Sequence, residues 1–224
     1  MKQRMVNGNY SLLIVLLFFF FISQIIVADV TCKDQLIKFN WAFIIRTKEG
    51  SIETLDFGER VTAYSGDQIK IFLQPIGTVY LYLFFYSSQK ELSLFFPASF
   101  DDFDHSFRNG EGYYIPSNDR WFVLDENRGV ETFYLLASAT RLKTLEETTI
   151  VFLNASEKKR EMMKLKLITE IKGIRKRHSE LKVHTEKPLS IAGTVRGVDT
   201  GMEHYVFEVE SEEFYGKTLR IDHK

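Results

Sequence analysis

From Thr78 to Tyr86 the chain is apolar on both sides of a two-residue repeat. Val79, Leu81, Leu83 and Phe85 fall on one face; Tyr80, Tyr82, Phe84 and Tyr86 fall on the other. A strand with one wet face alternates apolar and polar residues, because successive side chains point in opposite directions. A strand without that alternation is covered on both faces and belongs inside a sheet.

The flanking segments read as its neighbours. Gln68 to Leu73 alternates, with Ile69, Ile71 and Leu73 on one face and Gln68, Lys70 and Phe72 on the other. Glu91 to Phe96 repeats the pattern with Leu92, Leu94 and Phe96 inward, and Pro97 ends it. Ser87-Ser88-Gln89-Lys90 then forms the turn of a hairpin. Upstream, Phe39 to Thr47 and Ser51 to Phe57 flank Lys48-Glu49-Gly50, a second hairpin signal. Downstream, Arg120 to Leu124 and Val130 to Ala137 are strands joined by a turn over Asp125–Gly129.

From Ser156 to Lys182 the period changes. Met163, Leu167, Ile171, Ile174 and Leu181 recur at helical spacings, which makes one apolar stripe. Ser156 is placed to cap the start, and Gly173 is a point for a kink or break. Strands return at Leu189–Val195, Tyr205–Val209 and Lys217–Asp222, with Gly197–Met202 as a turn. They are expected to complete the same sheet system by pairing with the N-terminal hairpin. The predicted fold is therefore mainly β: one antiparallel, sandwich-like domain over residues 38–224 with one C-terminal amphipathic helix.

The first 28 residues carry a different pattern. Lys2 and Arg4 precede an uncharged apolar run from Leu12 to Ile22, and Val27-Ala28 precedes Asp29. That is the form of a secretory signal peptide, with an uncleaved N-terminal anchor as the competing reading. Residues 29–37 form a leader. The expected location is periplasmic or extracellular. Cys32 is the single cysteine, so no internal disulfide can form, and the fold rests on burial and hydrogen bonding. Val30-Thr31 lacks the small residue that a lipid-modified cysteine requires.

The stretch from about Gly58 to Leu145 resembles a bacterial family known as domain of unknown function 4384. The resemblance lies in Ser65-Gly66-Asp67-Gln68-Ile69-Lys70-Ile71, Val79-Tyr80-Leu81-Tyr82-Leu83-Phe84 and Leu92-Ser93-Leu94-Phe95-Phe96-Pro97. It continues in Tyr114-Ile115-Pro116 and in the run from Gly129 to Ser138. Its members are exported or surface-associated modules, often joined to peptidase-like or kinase-like domains. The resemblance implies an accessory β module and supplies no catalytic residues.

Candidate chemistry is sparse. Ser87–Lys90 and Ser156–Lys159 each match Ser-x-x-Lys, but the first lies in a turn, the second opens a basic helix, and no Lys-Thr-Gly follows. Asp101, Asp102, Asp104 and His105 could offer ligands to calcium, although four candidates in a run of five do not converge unaided. The histidines show no metal-site spacing and no glycine-rich phosphate loop is present. No cofactor is expected. Tyr80, Tyr82 and Tyr86, with Phe84, either lie under a second layer or form an exposed platform for a glycan or peptide.

Charge separates the regions. Residues 59–138 hold eleven acids against six bases, whereas residues 156–182 hold ten bases against four acids. The formal net charge of the whole is −1, which gives a nucleic-acid role no support. Lys164, Lys172, Arg175 and Arg177 mark a basic helix face for an anionic membrane surface or a partner, unless the helix simply packs its stripe and leaves the bases in water. The expected function is a non-catalytic interaction module of the cell envelope that recognises a protein or envelope polymer. An envelope enzyme with an unrecognised site, or a structural envelope component, is the alternative.

Overall fold

The computed structural model describes residues 36–178, 183–191 and 204–224. The expected signal peptide, Cys32 and the Gly197–Met202 turn lie outside those residues.

Two sheets pack face to face. The larger holds β1 (Leu36–Arg46), β2 (Ile52–Thr54), β4 (Gln68–Ile76), β7 (Tyr113–Ile115), β8 (Phe122–Val123), β10 (Val183–Ile191) and β11 (His204–Glu212), in the order β10-β11-β1-β4-β7 with β2 on β1 and β8 on β4. The smaller runs β3-β12-β9-β5-β6, from β3 (Val61–Ala63), β12 (Phe214–His223), β9 (Gly129–Ser138), β5 (Tyr80–Tyr86) and β6 (Leu92–Phe96). Every pairing is antiparallel except β12 with β3, which is parallel.

The inward faces interdigitate. Phe39, Trp41, Phe43 and Ile45 of β1 meet Leu81 and Leu83 of β5, Leu135 of β9, and Leu219 and Ile221 of β12. Each fully buried side chain of this size stabilises the fold by about 1.5–3 kcal/mol relative to an exposed one. As its two-faced pattern requires, β5 sits between β9 and β6.

The far face of the smaller sheet is covered by α2 (Lys143–Leu153) and α3 (Glu157–Arg177), while α1 (Asp102–His105) is a single turn in the loop after β6. Leu145 and Phe152 of α2, with Leu167, Ile171 and Ile174 of α3, close over Tyr82, Phe84, Tyr134 and Leu136. Among the described residues, no helix is long and apolar enough to cross a membrane.

Four expectations need correction. The amphipathic helix lies mid-chain rather than at the C-terminus, and among the described residues a second long helix, α2, precedes it. In α2, Leu145, Thr148, Thr149 and Phe152 form the buried face, but exposed Ile150, Val151 and Leu153 blur its period in the sequence. Second, the 125–129 turn does not close a hairpin: β8 pairs with β4 in the larger sheet, and β9 belongs to the smaller. Third, Leu92, Leu94 and Phe96 do not share a face. A register shift at Leu83/Phe84 leaves Leu92 and Leu94 toward the helices and turns Phe96 into the inter-sheet core. One added residue reverses every side chain beyond it.

Last, α3 runs unbroken through Gly173. A Cβ there would meet only the guanidinium tip of Arg177, at 3.3 Å. Replacing glycine by alanine in a helix interior stabilises by about 0.5–1 kcal/mol. Gly173→Ala is therefore expected to raise the unfolding free energy by that amount, read as a higher midpoint in urea titrations, and an unchanged or lowered midpoint would contradict the geometry.

Candidate functional site

The tyrosine face is closed rather than open. Tyr82 is fully buried beneath the helices, and Tyr80 and Tyr86 at its two ends are half-buried. Burial of a phenol is favourable only if its hydroxyl finds partners. The Tyr82 hydroxyl donates to Glu146 Oε1 at 2.7 Å and accepts from the Leu142 backbone N–H at 3.0 Å. Arg141 grips the same carboxylate, with Nη2 at 2.7 Å from Glu146 Oε2, and reaches Asp104 at 2.8 Å. Burial and the Glu146 hydrogen bond push the pKa of the Tyr82 hydroxyl well above the usual phenol value. This clamp ties α2 to the sheet.

The basic residues of α3 divide by face. Lys164 donates to the Lys90 carbonyl and pairs with Glu161; Arg175 reaches down to the Gly216 carbonyl and the Thr218 hydroxyl on β12. Arg177 pairs with Glu170, and Lys172 is exposed. The apolar stripe of α3 is spent on the sheet. A second apolar set faces the other way: Met162 and Leu165 are each 57% exposed, as are Ile150, Val151 and Leu153 of α2 at 47–53%. Lys143, Lys158, Lys166 and Lys172 are exposed on the same two helices.

The acidic loop does not converge. Asp102 turns back to accept the Ser99 N–H at 2.9 Å, and Asp104 is drawn to Arg141. Among the described residues, no group of three or more histidine, cysteine or acidic side chains is placed to hold a metal ion. Close by, a groove of about 370 Å³ opens between the free edges of β6 and β7, lined by Phe95, Phe96, Pro97, Phe107, Tyr113 and Pro116 among others.

One constellation went unseen in the sequence because its members are far apart. Ser65 Oγ lies 3.0 Å from His223 Nε2, and His223 Nδ1 lies 3.6 Å from Glu131 Oε1. The order hydroxyl, imidazole, carboxylate is that of a nucleophilic triad. Two features oppose acyl transfer here. The backbone N–H groups of Ser65, Gly66 and Asp67 donate to the carbonyls of Lys224, Leu124 and Tyr64, so none is free to form an oxyanion hole. Ser65 is also buried, and it does not line the cavity of about 220 Å³ that adjoins His223 and Glu131.

The Ser65 turn has its own structural logic. Gly66 has φ +94, and a Cβ there would strike the Lys48 side chain at 2.0 Å. Asp67 accepts the N–H groups of Tyr64 and Lys48 at 2.8 and 3.2 Å.

These turn residues open the segment that the comparisons single out. Residues 62–141 match the model of a domain of unknown function, DUF4384. No curated protein and no solved structure matches the chain. The DUF4384 segment takes in β4 to β9 and Arg141, and so divides between both sheets. It holds Ser65, Glu131 and Tyr82, whereas His223, Glu146, the central strand β1 and both long helices lie outside it.

Tyr82 carries the prediction. Tyr82→Phe removes both hydroxyl hydrogen bonds and leaves the Leu142 N–H without a partner, a cost of about 1–3 kcal/mol. The raised pKa means that the fold favours the neutral phenol. Its contribution is complete below the unfolded tyrosine pKa of about 10 and is lost as pH rises toward the folded-state value. Urea midpoints measured from pH 8 to 12 should fall above pH 10, less steeply in Tyr82→Phe. Equal slopes would remove the clamp from the account.

Proposed function

We propose that this protein is an exported, non-catalytic interaction module of the cell envelope, and that it meets its partner surface through the outward face of α2 and α3. The observation that carries the reading is the exposed set Ile150, Val151, Leu153, Met162 and Leu165 beside Lys143, Lys158, Lys166 and Lys172. Single exposed aliphatics are ordinary, but five on one helical pair are a contact surface in search of a counterpart. Lysines among them select an anionic one: near an anionic membrane surface each contributes about 1 kcal/mol, while the apolar side chains enter the headgroup boundary. The helices can do this without leaving the sheet, because their buried stripe is a separate set of residues.

Sedimentation with vesicles containing phosphatidylglycerol, against pure phosphatidylcholine vesicles, tests the proposal. The expected result is salt-sensitive binding to the anionic vesicles alone, weakened at least about tenfold in Met162→Glu/Leu165→Glu. Both positions are exposed, so thermal stability should not change. Absence of binding to anionic vesicles would overturn the membrane contact.

The Ser65, His223, Glu131 alignment favours a second reading, an envelope hydrolase. A fluorophosphonate probe separates the two. On the module reading Ser65 stays unlabelled; labelling of the protein that is lost in Ser65→Ala would establish the enzyme instead.

A further inference from the structure

The cavity beside His223 has an aromatic floor and an acidic wall, and no lysine or arginine lines it. Phe95 stacks on Phe122 with centroids 4.6 Å apart, and Phe85 lies 4.8 Å from Phe133. Glu91 and Asp125 stand at the exposed rim, and Glu131 lies deeper, 5% exposed. The backbone and side-chain N–H groups of Asn127 both donate to Asp125, which lowers its pKa and keeps it charged.

One buried atom in the wall has no partner, and a carboxylate oxygen beside it has only a distant one. His223 is 3% exposed, and its Nδ1 makes no hydrogen bond. Its Nε2 is engaged by Ser65, and Nδ1 is turned toward Glu131 Oε1. Glu131 Oε2 accepts the Ser88 N–H at 3.1 Å, whereas Oε1 has His223 Nδ1 at 3.6 Å, beyond good hydrogen-bonding reach. A buried polar group without a partner is a standing demand for one.

We infer that this cavity binds an alkylammonium head group of side-chain size. An anion is repelled by three carboxylates. A bare divalent ion needs converging oxygen ligands, and among the described residues no such group is present. A guanidinium pairs best with both oxygens of a carboxylate, but Glu131 Oε2 is already taken by Ser88. An ammonium is a compact donor of three hydrogen bonds. It can pair with the Glu131 carboxylate at Oε1 while its alkyl stem lies against the phenyl faces.

Titration of the full-length protein, followed by NMR, tests this with n-butylammonium chloride, Nα-acetyl-lysine methylamide and, as a neutral isostere, n-butanol. The expected result is saturable shifts centred on Ser88, Glu131 and His223 with the butylammonium ion and none with butanol. Glu131→Gln should weaken binding at least about tenfold. Because that change also touches Ser88, Glu91→Gln at the exposed rim is the second variant; it should weaken binding several-fold and leave the melting temperature unchanged. Saturation by both amines assigns the site to lysine side chains of a partner, and saturation by butylammonium alone assigns it to free amines. Equal saturation by butanol, binding indifferent to both substitutions, or no saturation by either amine would overturn the inference.

Discussion

The two-sided burial of the smaller sheet sets the terms for everything else in this fold. β5 and β9 present aliphatic and aromatic side chains to both faces, so one sheet cannot satisfy them. The larger sheet closes one side and the helical pair closes the other, giving three layers. The arrangement has a polar consequence. Tyr82 brings a hydroxyl into the helix–sheet interface, and Glu146 and Arg141 are there to meet it. Removing the aromatic layer would strand a buried carboxylate and a guanidinium; removing those two would strand a phenol. The apolar contacts and the clamp therefore stand or fall together.

β12 does for the smaller sheet what β1 does for the larger. It lies between β9 and β3, and its backbone continues into the turn after β3: Lys224 donates to Ala63, and Ser65 donates to Lys224. His223 then ties this turn to β12 through Ser65, with its Nδ1 beside Glu131 of β9 but not hydrogen-bonded to it. The serine–histidine contact is thus accounted for by the need to fasten β12 to the turn after β3, and Glu131 by its bond to the Ser88 N–H. What that need does not account for is the orphaned Nδ1 and the hollow beside it.

β5 was legible because its pattern is extreme: the eight aliphatic and aromatic residues from Val79 to Tyr86 demand cover on both faces. The stripe of α3 was legible for the same reason. The rest was lost to specific causes. β3 and β7 are three residues each, too short to show a period. α2 hides its buried face among exposed aliphatics that also fit a strand. A bulge cannot be read from one strand, because it is a property of the pair, and it alone moved Phe96 to the other face. Ser65 and His223 are 158 residues apart, and no local spacing announces a contact of that kind.

Lys70 shows how far alternation can mislead in a single position. The pattern places it on the outer face of the larger sheet, where a lysine would be wet, yet it is fully buried. The ring centroids of Tyr114 in β7 and Trp121 in the loop after it lie 5.7 and 5.4 Å from its Nζ, and the Asn118 carbonyl accepts a hydrogen bond at 2.6 Å. Burial pulls its pKa below the ordinary lysine value. Arg46 sits over the same Trp121 ring at 4.6 Å, so two cations share one aromatic cover. An uncharged residue would be cheaper to bury here. What the lysine adds is a directed bond to one carbonyl, which holds the 116–121 loop against the sheet and so fixes the wall of the groove beside β7.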